Sequence, residues 1–91
     1  MPFVLVTGST DDNAHWEQKF RTHGDLFENQ TVKVVRYAMG EGNRVAALFE
    51  VDDLDTYFAV FESPDTGNAM AEDGFQRESA EVYVLDHEWT I

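Results

Sequence analysis

Residues 31–51 read TVKVVRYAMGEGNRVAALFEV, and their interpretation decides the fold. Two runs rich in β-branched and aromatic residues flank Gly40-Glu41-Gly42-Asn43, a cluster of turn formers. This pattern predicts a β-hairpin, with the glycines supplying positive φ. A two-residue turn at Glu41-Gly42 or a four-residue loop sets the same register. Met39 faces Arg44, Tyr37 faces Ala46, Val35 faces Leu48 and Lys33 faces Glu50. The opposite charges of Lys33 and Glu50 favour that pairing. One face of the hairpin then carries Val35, Tyr37, Arg44, Leu48 and Glu50, and the other carries Val34, Ala47 and Phe49. Both hold large apolar side chains, so neither reads as fully solvated. If helices cover one face, a partner subunit or a ligand is expected on the other.

Working outward, Phe3-Val4-Leu5-Val6-Thr7 is a nearly continuous apolar run and reads as a buried central strand. Asp11, Asp12 and Asn13 are candidate N-caps for a helix over residues 12–28. On it Trp16, Phe20, His23 and Phe27 recur at i, i+4, i+7 and i+11, which is one helical face. Gly24 weakens the last turn of that pattern. After the hairpin, Asp52 and Asp53 cap a second helix with Leu54, Tyr57, Phe58 and Phe61 on its apolar side. Ser63-Pro64 interrupts it, and a shorter helix restarts there and ends near Gly74. Residues 81–91, EVYVLDHEWTI, form a last strand. The order is β-α-β-β-α-β in a single domain spanning residues 1–91. Right-handed crossovers arrange it as an α+β, ferredoxin-like, four-stranded antiparallel sheet with both helices on one face. The first and third strands are central, as befits the two most apolar runs.

Composition narrows the function classes. The chain has 91 residues, no cysteine, and 18 acidic against 6 basic side chains. Residues 1–44 carry six acids and five bases, whereas residues 45–91 carry twelve acids and only Arg77. Such a surface disfavours nucleic acid and anionic membranes as partners. It reads as a solubility surface, or more sharply as adaptation to a saline environment. No apolar run approaches a membrane span and no signal peptide is evident, so a cytoplasmic location is expected.

The run Phe61-Glu62-Ser63-Pro64-Asp65, followed by Ala69-Met70, Gly74-Phe75 and Glu81-Val82-Tyr83-Val84-Leu85, resembles the dimeric α+β-barrel superfamily. More narrowly it resembles the small, uncharacterised single-domain members. Trp16 and Phe20 on the first helix and the strand entering Tyr37 fit the same likeness. The resemblance implies a homodimer in which two open sheets face each other. It also implies a cavity on the sheet face opposite the helices, with Tyr37, Leu48, Glu50, Val35 and Arg44 as the candidate ligand-binding residues. The superfamily includes cofactor-independent quinone-forming monooxygenases, haem-degrading monooxygenases, isomerases, cyclases and proteins of no known activity, so the fold does not select a reaction.

No P-loop, dinucleotide glycine pattern, HExxH motif or nucleophile elbow occurs. His15 and His23 are too far apart to share an ion and His87 is remote, so no metal is expected, and no cofactor. His23 reads as a core-edge histidine making one hydrogen bond, and His15 as exposed. His87 and Trp89 read as residues of a dimer seam. The Asn, Trp and His that the superfamily's monooxygenase members place around the substrate find no match, because Asn13 precedes a helix while His15 and Trp16 lie on it. Two functions stand side by side. The first is a homodimer that binds a small apolar molecule. The alternative is a cofactor-independent monooxygenase or isomerase acting on a small aromatic or polyketide-like substrate, with Glu50 as a base unless Lys33 neutralises it.

Overall fold

A computed structural model of the chain describes residues 2–85. Its elements are β1 (Phe3–Thr10), α1 (Asn13–Phe20), α2 (Gly24–Asn29), β2 (Val32–Met39), β3 (Arg44–Val51), α3 (Leu54–Phe61), α4 (Pro64–Asp73) and β4 (Phe75–Leu85). The strands form one antiparallel sheet in the order β2-β3-β1-β4, so β1 and β3 are central as their composition predicts. Each expected helix is two helices. The break between α3 and α4 falls at Ser63-Pro64. Pro64 opens α4 where its missing N–H is harmless, and Gly74 closes it in the left-handed conformation at φ 74°. The break between α1 and α2 was expected only as a weak turn near Gly24. The chain leaves the helix after Phe20, and His23 caps a new helix that begins at Gly24.

Carboxylates start two helices. Asp12 accepts from the Ala14 amide, and Asp53 accepts from those of Asp55 and Thr56. The Thr56 amide, with its hydroxyl, is the main reason the Asp53 carboxyl titrates below its ordinary range.

The hairpin register corrects the sequence reading by one residue. Gly42 and Asn43 both take positive φ, and the Gly40 amide donates to the Arg44 carbonyl at 2.7 Å. The loop between that pair is therefore the odd-numbered Glu41-Gly42-Asn43. Met39 pairs with Val45, Tyr37 with Ala47, Val35 with Phe49 and Val34 with Glu50. A one-residue slip turns every β2 side chain to the other face. The shift of register between Val32 and Val34 lets Val32 meet Val51, and Lys33 bonds Asp52 at 3.1 Å instead of Glu50.

The core lies between the sheet and the helices. Val4, Val6, Val45, Ala47, Phe49 and Val51 from the two central strands meet Trp16, Phe20 and Tyr57 from the helices. β4 begins at Phe75, earlier than expected, and is irregular against β1 between Thr7 and Ser9. There the Ser79 hydroxyl accepts from the Ser9 amide at 2.8 Å, replacing a ladder bond. Gly8 sits beneath this kink against the Phe75 ring, where a Cβ would lie 2.4 Å from the ring tip. His87 and Trp89 lie outside the described residues.

Candidate functional site

The aromatic face of α1 and α2 does not fill the space above the sheet. A cavity of about 60 Å³ remains, roughly the volume share of two waters in the liquid. Trp16, Phe20 and Phe27 line it from α1 and α2, Phe49 from β3, and Tyr57 and Phe61 from α3. The rings form one connected set. Trp16 stacks on Phe20 with centroids 4.6 Å apart, Phe49 meets Tyr57 at 6.0 Å, and Tyr57 stacks on Phe61 at 5.8 Å.

The polar lining groups stand where α1 and α2 meet α4: His23, Gln30, Thr66 and Asp73. Nε2 of His23 lies 2.6 Å from Oδ1 of Asp73, with side-chain exposures of 14% and 5%. Burial raises the Asp73 carboxyl above its ordinary range. The His23 hydrogen bond and charge oppose this, Glu72 adds to it, and His15 opposes it. While Asp73 is ionised, the short contact makes Nε2–H of His23 the donor, which in the neutral ring leaves Nδ1 an acceptor. This is the arrangement of an oriented general base. Gln30 and Thr66 are as deeply buried, with Nε2 of Gln30 3.4 Å from the Thr66 hydroxyl oxygen. Burial pushes the Tyr57 hydroxyl up.

Outside α2 and α4 runs an open groove of about 330 Å³, lined by Thr22, Asp25, Asn29, Asp65, Asn68 and Glu72. His23, Leu26 and Ala69 line both spaces, so only this seam separates the chamber from the groove.

The five cavity candidates divide between the two faces. Val35 and Tyr37 are on the helix side, contrary to the expected register. Tyr37 meets Trp16 and Phe20 edge-on at 5.7 and 5.3 Å, and its hydroxyl donates to Glu17 at 2.9 Å. That bond is the main reason its hydroxyl titrates above the ordinary value. Arg44, Leu48 and Glu50 alternate with the buried β3 residues and stay on the open face. His23 makes the single side-chain hydrogen bond expected of it. His15 is exposed, with Nε2 3.1 Å from the Glu72 carbonyl. Asn13 clamps the hairpin turn by donating to the carbonyls of Gly40 and Arg44. Among the described residues no cluster of three metal-ligating side chains occurs, and no helix is long and apolar enough to cross a membrane.

Sequence reasoning missed Asp73, Gln30 and Thr66. Asp73 had one available signal, since an acid in the last turn of a helix opposes the helix dipole. Gln30 and Thr66 had none, because both are ordinary polar residues beside helix ends.

No family model matches the sequence, and no curated protein matches it. Solved structures match through the fold. A candidate antibiotic biosynthesis monooxygenase from Bordetella bronchiseptica superposes with TM-score 0.78 at 12% identity, covering 97% of each chain. SnoaB, a cofactor-independent oxygenase from Streptomyces nogalater, superposes with TM-score 0.70 at 15% identity over 99% of this chain and 94% of its own. A nipsnap family protein of unknown function from Agrobacterium tumefaciens gives 0.64 at 14% identity over 93% and 86%. At such identities the likeness establishes the fold alone, a ferredoxin-like α+β fold. The same fold carries an oxygenase and a protein without known activity, so function has to be argued from the site.

Proposed function

We propose that the chain takes a small, flat, largely apolar aromatic molecule into the chamber between sheet and helices, and that His23 removes a proton from it. The observation that supports this reading is the largely buried His23–Asp73 pair at the polar seam of an otherwise apolar chamber. Such pockets bind through apolar area and orient through a few polar groups. The likeness to the oxygenase SnoaB agrees with a cofactor-independent oxygenation. Deprotonating an activated ring methylene gives an electron-rich anion that can reduce O2. One oxygen atom ends in the new carbonyl, and the other leaves as water with the two methylene hydrogens. The substrate supplies all the electrons, so no cofactor is needed. The cavity of about 60 Å³ is smaller than an aromatic bicycle, so binding requires its lining to open.

The open sheet face belongs, in this reading, to a two-fold homodimer, and Leu48, Glu50 and Arg44 lie in its seam. Val34, Tyr83 and Leu85 on that face are 41–43% exposed, and no helix layer covers them. Burying such a surface against a second copy is favourable by roughly 25 cal/mol per Å². A stable monomer in sedimentation at micromolar concentration overturns the dimer.

Oxygen uptake with an anthrone as substrate tests the reaction. His23→Gln should lower turnover about a hundredfold or more, the worth of positioned proton transfer. Unchanged turnover in that variant removes His23 as the base. Binding without oxygen uptake in the native protein reduces the function to ligand binding.

A further inference from the structure

We infer that Gln30 is a specificity-determining residue of this chamber, and that its ligand carries a second oxygen function remote from the one at His23. The inference rests on the proposed chamber and adds to it the chemistry of the far end. Gln30 is 3% exposed and lines the cavity. A carboxamide offers two N–H donors and a carbonyl acceptor, and buried ones normally use most of them. Among the described residues the Gln30 side chain makes one hydrogen bond, to Thr66, at a long 3.4 Å. The Thr66 hydroxyl is meanwhile engaged by donating to the Val60 carbonyl at 2.6 Å. Among the described residues Gln30, which lines the chamber, therefore makes fewer hydrogen bonds than a carboxamide can, and the one it makes is long enough for a better partner to displace.

Position gives that capacity a direction. His23 and Gln30 are the two cap residues of α2. Seven residues of helical rise separate them by about 10 Å. Between them Leu26 and Phe27 present only apolar surface to the cavity. A ligand along α2 thus meets a proton acceptor at one end, an apolar wall in the middle and an amide at the other end. Two oxygens at opposite ends of a flat two-ring body match this layout; a single hydroxyl satisfies half of it.

Two probe ligands test the assignment, 2-naphthol and 2,6-dihydroxynaphthalene, with binding followed by calorimetry. The native protein should bind the dihydroxy compound about five- to tenfold tighter, the effect of one ordinary hydrogen bond. Gln30→Leu should abolish that preference while leaving 2-naphthol within about twofold. Thr66→Val should enlarge it, because Gln30 no longer has an internal partner. A merely structural Gln30 would instead weaken both probes together, and both variants would act in the same direction. Equal affinity of the native protein for the two probes, or a preference that survives Gln30→Leu, overturns the role of Gln30 while leaving the chamber in place. Failure of both probes to bind removes the chamber as a site, and this inference falls with it.

Discussion

The two faces of the sheet are built from the same strands and solve opposite problems. On β3, Phe49 is 5% exposed beneath the helices, while its neighbour Leu48 points to a face that no helix layer covers. The helix-covered face holds the polar seam, the chamber and the aromatic set, but its layer stops short of the outer strands, where Met39, Val82 and Val84 are 36–51% exposed. The open face has a similar apolar character but no second layer. On the central strands exposure follows from which layer is present, and residue type alone does not separate the faces.

The largest expected difference tests this directly. Phe49→Ala should cost about 3–5 kcal/mol in urea unfolding, through lost burial and an enlarged cavity. Leu48→Ala should cost less than about 1 kcal/mol in the monomer. In the proposed dimer its effect should appear as weaker association and depend on protein concentration. Equal, concentration-independent costs would erase the distinction between the faces.

A smaller effect is expected at the kink of β1 and β4, on the helix side. Gly8→Ala sets a methyl group against the Phe75 ring tip, so the ring has to shift from its place over β1. Overpacking of this kind should cost about 1–3 kcal/mol. Phe75→Leu in the same chain should recover part of the loss, and its failure to do so would locate the strain elsewhere.

The polar seam gives the helix side a pH signature that the open face lacks. Asp73 titrates above its ordinary range in the fold, chiefly through burial. The fold therefore holds that proton more tightly than the unfolded chain does. The resulting stabilisation is full below the ordinary carboxylate value and is lost as pH rises through the raised one. Subtracting the unfolding profile of Asp73→Asn from that of the native protein should isolate a decline in that window. A difference that rises with pH there, or stays flat, would show that burial does not dominate at Asp73.

The smallest effect concerns the outer surface that both faces share. Twelve acids and one base in residues 45–91 should repel one another at low ionic strength. Raising salt from ~10 mM to ~0.1 M shortens the screening length about threefold and should raise Tm by a few degrees. An unchanged Tm would argue against adaptation to salt.

The sequence by itself determined the element types and their order, the central places of β1 and β3, the Ser63-Pro64 break and the Gly74 stop. These follow from local physics, because apolar periodicity, capping oxygens, a missing amide hydrogen and a glycine at positive φ act within a few residues. It also placed Trp16, Phe20, His23 and Phe27 on one face, although the helix carrying them breaks. Tertiary structure decided the hairpin register, the side of Tyr37 and the partners of His23 and Gln30. A period of two cannot choose a register when both faces of β2 are apolar, and the left-handed backbone at Asn43 made the loop odd where an even one was expected. His23 meets Asp73 across 50 residues, and Gln30 meets Thr66 across 36. Such pairs are fixed by how α2 settles on α4. No spacing in the chain encodes that contact, because it arises from packing two helices over one aromatic floor.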